Sequence, residues 1–128
     1  MKKITTKARQ GDVLILKVEE GGAAMKKGET VTLALGEVTG HAHKIIPKEG
    51  AELFFSKSED GTIIEVRGGA AVLYHGNDSQ IARQINDLHV FDHALEDTHA
   101  PIVLTPGFYK AWIQREYDPQ EYSREVLD

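Results

Sequence analysis

Apolar and polar positions alternate in short runs along most of this chain, and turn-forming residues separate the runs at close intervals. Gly11-Asp12 precedes Val13-Leu14-Ile15-Leu16-Lys17-Val18, which reads as a turn feeding a strand apolar enough to be buried on both faces. Between Glu29 and Gly36, Val31, Leu33 and Leu35 fall on one side, with Thr30, Thr32 and Ala34 on the other. The chain then passes through Glu37 to Ile46 and reaches the turn Pro47-Lys48-Glu49-Gly50. Strands are predicted at 51–55, 62–66 and 70–74. Glu59-Asp60-Gly61, with the chemistry of a hairpin loop, and Gly68-Gly69 divide them. Pro101 to Thr105 resumes the pattern. After the Pro106-Gly107 turn, Phe108 to Tyr117 reads as the last long strand, in which Tyr109, Ala111 and Ile113 are the better core face near its centre, while Trp112 on the other side leaves the choice open.

The strand pattern breaks at Gly76-Asn77-Asp78. Asp78 or Ser79 can cap a short helix through Gln80 to Ile85, with Ile81 and Ile85 one turn apart. Residues 77–95 therefore read as the main helical or irregular excursion. Short, evenly spaced strands with one excursion predict an all-β fold, a single small barrel or sandwich-like domain spanning 1–128. Residues 1–9 read as a flexible lead-in and 118–128 as a C-terminal tail, while the form of 23–28 stays open.

Composition narrows the function classes. A chain of 128 residues with 41% hydrophobic content is the size of one ordinary domain. It contains no cysteine, which removes disulfides, thiolate-bound metals and thiol nucleophiles. Fifteen Lys and Arg against 20 Asp and Glu give a net charge of -5, so no broad nucleic-acid binding is expected. The longest apolar run, Val13 to Leu16, is far short of a membrane span, and no signal-like apolar run follows Lys2 and Lys3. A cytoplasmic protein is the expectation.

The most chemically informative residues are histidines. On a strand, the spacing of His41 and His43 puts both side chains on one face, roughly 7 Å apart. From there two imidazoles can converge on one divalent ion, and zinc, iron, nickel and manganese are the metals considered. Catalytic zinc commonly takes three protein ligands and keeps an open position. His99, just before a predicted strand and beside Glu96-Asp97, is the chosen third ligand. Glu37, four residues before His41, is the candidate fourth ligand, through its carboxylate, or a general base. His75 ends another strand and is the weaker candidate, while His89 and His93 have one-turn helical spacing. The same histidines can instead satisfy backbone carbonyls, line a polar face, or form a metal-free acid–base site. No phosphate-loop, dinucleotide or nucleophile-elbow pattern is present, and no organic cofactor is expected.

Gly40-His41-Ala42-His43 resembles the metal motif of cupins. That resemblance implies a compact β-barrel in which a Gly-flanked His-X-His, a following Glu and a distant His hold a metal. His41 and His43 match the close pair. Glu49 lies where a carboxylate would be sought but within a Pro-Gly turn, and His99 precedes Pro106-Gly107 where the cupin order would place a histidine after it. Separately, Gln10-Gly11-Asp12-Val13, Gly36 to His43, and His99 through Tyr117 together look like a family of small uncharacterised bacterial and phage-borne proteins. That resemblance covers nearly the whole chain, implies a complete small protein and supplies no activity.

Two functions are therefore carried forward. One is a divalent-metal-binding β domain using His41, His43 and His99, able to support hydrolytic or oxygen chemistry with Glu37. The other is a non-enzymatic partner-binding or regulatory protein with structural histidines, in which Trp112 to Tyr122 forms a mixed aromatic and charged partner surface. A homodimer through edge strands is compatible with this second reading.

Overall fold

Backbone pairing sorts the strands into two sheets. In this computed structural model the described residues are 2–3, 7–21, 25–35, 41–59, 61–86 and 101–113. Their strands are β1 (Lys2–Lys3), β2 (Lys7–Gln10), β3 (Val13–Val18), β4 (Lys26–Gly28), β5 (Val31–Leu35), β6 (Ala42–Pro47), β7 (Glu52–Ser58), β8 (Gly61–Arg67), β9 (Ala71–Gly76), β10 (Ile102–Leu104) and β11 (Gly107–Ile113). The five-stranded sheet has the order β1-β10-β9-β6-β5, and the six-stranded sheet the order β2-β3-β11-β8-β7-β4. Neighbours run antiparallel except β1 and β10, which are parallel. The fold is thus all-β and sandwich-like with one short helix, α1 (Asp78–Asn86), as the strand pattern predicts.

The alternation in the sequence becomes the two faces of each sheet. Val13 and Ile15 of β3, Ile64 and Val66 of β8, Leu53 of β7 and Tyr109 and Ala111 of β11 point inward from the six-stranded sheet. They meet Val31, Ile45, Ala71, Leu73, Ile102 and Leu104 from the other sheet in one apolar cluster. Burial of each large apolar side chain here contributes about 1.5–3 kcal/mol before entropy is counted. The predicted inward face of the last strand, Tyr109 and Ala111, is the observed one.

Two stretches behave differently from their sequence pattern. Residues 7–9, within the lead-in expected over 1–9, form a strand with Gln10 that pairs with β3 across a tight turn. Lys26–Gly28, which has no apolar alternation, is a strand because its backbone pairs with β7, and Lys27 Nζ lies 3.0 Å from Glu52 Oε2 across that ladder.

The helix cap falls one residue earlier than expected. Asn77 Oδ1 accepts from the Gln80 backbone N–H at 2.8 Å, and Gln80 Oε1 accepts from the Asn77 N–H at 2.9 Å. This reciprocal capping box makes Asn77, not Asp78 or Ser79, the N-cap. Gly76 (φ +145°) permits it, because a side chain there would meet Gln80 Oε1 at 2.8 Å. The helix lies on the outer face of the five-stranded sheet, where Ile81 packs with Val72, Tyr74 and Val103. Among the described residues no helix is long and apolar enough to cross a membrane.

Candidate functional site

Gln10-Gly11-Asp12 builds one side of a buried polar cluster. Gly11 sits at φ +57°, the left-handed conformation a tight turn needs, and the turn carries Gln10 and Asp12 toward the same place. Gln10, on the inward face of β2 with Ala8, is fully buried. Its amide Nε2 donates to the Leu73 carbonyl at 2.9 Å. A carbonyl can only accept, so the amide nitrogen must face Leu73 and Oε1 must face the other way.

That oxygen meets His43. His43 is 1% exposed, and its Nδ1 lies 2.9 Å from Gln10 Oε1, so Nδ1 carries the proton and donates. Its Nε2 lies 3.2 Å from Asp12 Oδ1. Nε2 thus faces the Asp12 carboxyl group, and the buried ring sits between an amide oxygen and an acidic side chain. A cation approaching Nε2 would have to share or displace Asp12.

The histidine neighbour comes from β9. His75 is the register partner of His43, and their ring centroids are 4.3 Å apart with planes 34° from parallel. His41 approaches the same ring from its other neighbour position, at 5.8 Å. The two histidines of the His-X-His pair thus reach one neighbourhood, and among the described residues the third imidazole there is His75. The His75 carbonyl also accepts from Gln84 Nε2 of α1 at 3.1 Å, which ties the cluster to the helix. Glu37 and His99, the other members of the expected metal set, lie outside the described residues, as do His89 and His93. Among the described residues no group of three or more His, Asp or Glu side chains is arranged to hold a metal ion.

Sequence reasoning found His43 and passed over Gln10 and Asp12. The available signal was the turn itself, since Gln-Gly-Asp places two polar side chains two residues apart across a left-handed glycine. What it could not supply was the partner, 33 residues away from Gln10 in the chain.

A second region has the composition of a contact surface. On the outer face of the six-stranded sheet, Leu14 and Leu16 of β3, Ile63 of β8 and Phe108 and Trp112 of β11 are all only half-buried. At the Phe108 end, Met25, Phe54, Glu65 and Arg67 help line an open groove of about 420 Å³. Arg67 lies 4.3 Å from the Phe54 ring centroid and makes two hydrogen bonds with Glu65, at 2.7 and 2.8 Å. At the Trp112 end, the helix that covers the opposite sheet has no counterpart among the described residues.

No curated protein and no solved structure matches the chain. Residues 9–114, from β2 to just past β11, match the family described as Domain of unknown function (DUF8820), and the chain belongs to that family.

Proposed function

We propose that this protein is a non-enzymatic partner-binding protein whose buried histidines serve its structure. The observation that carries this reading is the half-buried apolar outer face of the six-stranded sheet, with Trp112 in it. Tryptophan beside aliphatic residues on a rigid sheet is the composition of a binding hot spot, because such side chains gain most from excluding water. The histidine cluster supports the same reading from the other side. A buried His43 ring, bonded to Gln10 through Nδ1 and facing Asp12 with Nε2, ties the β2–β3 turn to β6, which is a structural task.

The test has two arms. Cross-linking followed by affinity recovery is expected to yield a specific partner, or a second copy of the chain, with the natural protein and to lose it with Trp112→Ala at unchanged fold. Equal recovery with Trp112→Ala overturns the reading. For the histidines, His43→Ala is expected to lower unfolding free energy by about 2–4 kcal/mol, because Gln10 Oε1 and Asp12 lose their buried partner. His41→Ala is expected to stay within about 1 kcal/mol. Equal effects would remove the structural assignment of His43.

A divalent-metal reading keeps one specific observation, the approach of His41 and His75 to the same place. Zinc, iron, nickel or manganese binding there would have to displace Asp12 or Gln10 from His43. Elemental analysis of tag-free protein and calorimetric titration of chelated protein decide it. One equivalent bound and lost in His43→Ala favours the metal, and no binding favours the partner.

A further inference from the structure

Strand β5 is an end strand of the five-stranded sheet, and β4 is an end strand of the six-stranded one. Only Glu29 and Thr30 separate them in the chain, so the two ends lie on one side of the sandwich. Two features meet on β5. Its ladder with β6 shifts register between Thr32 and Ala34, which marks a bulge. At the same place, Lys57 of β7 donates from Nζ to the Thr32 carbonyl at 2.7 Å. Lys57 follows Leu53 and Phe55 on the side of β7 that faces the core, and its register partner Thr62 is buried. Its side chain therefore leaves the inner side of one sheet and ends on the backbone of the other. Native sheets use both devices, a bulge and an inward-pointing charge, to keep an end strand from pairing with another chain.

We infer that Lys57 guards β5 against antiparallel pairing with β5 of a second copy, and that loss of its charge opens this edge to self-association. An amide N–H from an added strand would have to displace the ammonium from the Thr32 carbonyl, and a hydrogen bond from a charged donor is the stronger of the two. The segment needs a guard because of its own composition. Thr30 to Leu35 carries no charge, no proline and no glycine, and two of its residues after Thr30, Val31 and Thr32, are β-branched. Such a segment pairs readily with a copy of itself, which makes a second copy the occupant. Val31 is 1% exposed and Leu33 packs against the core, so a two-fold pair of β5 strands would run the inner face of one sandwich into that of the other. This edge is separate from the Trp112 face, and the inference does not depend on the partner-binding reading.

Sedimentation velocity of the full chain over a range of concentrations tests this, comparing the natural protein with Lys57→Met and Lys57→Arg. Lys57→Met is expected to self-associate about tenfold or more tightly than the natural protein. Lys57→Arg keeps a cation able to donate to one carbonyl and is expected to stay at the natural level. Lys57 is exposed, so its replacement empties no core space. Should Lys57→Met misfold, Lys57→Gln, which removes the charge and keeps an amide donor, takes its place with the same expected direction. The seam is located by adding Thr32→Cys to the associating variant. The chain has no cysteine of its own, so a short bis-maleimide joins two copies only where their Thr32 positions meet, and a covalent dimer is expected. Unchanged self-association on loss of the charge overturns the inference. So does equal association of Lys57→Arg and Lys57→Met, or association without linkage through Thr32→Cys.

Discussion

On the outer face of the five-stranded sheet, Val72, Tyr74 and Val103 pack beneath Ile81 of α1, and all four are at most 5% exposed. On the outer face of the six-stranded sheet, Leu14, Leu16, Ile63 and Trp112 are half-buried, and among the described residues no helix lies over them. Among the described residues, only the first face is covered by a helix. A sandwich needs only its inner faces to form a core. Apolar side chains fully covered on an outer face therefore add to stability, whereas those left half-buried add less and keep area that a complex can bury. The difference separates a region whose sequence is constrained by folding from one available to recognition.

The sharpest way to break this contrast is to truncate one residue on each face. Ile81→Ala is expected to destabilise the protein by about 2–4 kcal/mol, since it empties a filled space under the helix. Leu16→Thr, which places a β-branched residue suited to a strand at a half-buried position, is expected to stay within about 1 kcal/mol. Urea unfolding of both variants measures the difference. Similar losses would mean that the outer face of the six-stranded sheet is as much a part of the folding core as the helix-covered one.

Much of this architecture was legible because period-2 alternation is a local signal. β3, β8 and β11 announce themselves, although Trp112 kept the inward side of β11 open until its partners were in place. β1 and β4 do not, because only backbone bonding to β10 and β7 makes Lys2–Lys3 and Lys26–Gly28 strands. The histidine site was half legible. His-X-His marks His43, but His75 joins it through the register of β9 on β6, and Gln10 and Asp12 through the packing of one sheet on the other, both long-range properties. A buried glutamine in Lys-Ala-Arg-Gln carries no hydropathy signal at all.

The helix-covered face depends on how α1 begins, which gives a smaller effect. Asn77→Ala removes the acceptor for the Gln80 N–H and is expected to reduce stability by about 1 kcal/mol. Asn77→Asp, which keeps an N-cap acceptor, is expected to restore most of it. Far-ultraviolet circular dichroism with thermal unfolding checks both. A substitution without effect would show that packing of Ile81, rather than the cap, fixes where the helix starts.

The smallest expected effect separates the faces by pH. Burial under α1 raises the Tyr74 phenol above its usual value of about 10, because the phenolate is disfavoured away from water. Tyr109 in the inner core is raised for the same reason, with its hydrogen bonds to Thr105 acting in the opposite sense. A group whose pKa is higher in the folded state stabilises the fold fully below its unfolded value and loses that contribution as pH rises through the folded value. Stability is therefore expected to fall once pH passes about 10. Lysines titrate in the same range, but they do so in the natural protein and in Tyr74→Phe alike. The difference between those two proteins thus isolates Tyr74: the variant should lose less stability between about pH 10 and pH 11, with Tyr109 still contributing in both. The described strands of the bare face place no tyrosine outward, so Leu16→Thr should follow the natural curve, displaced but parallel. Urea midpoints measured across this range make the comparison. A Tyr74→Phe curve parallel to the natural one would mean that the phenol reaches water despite the helix, and that the covered face is more open than its packing implies.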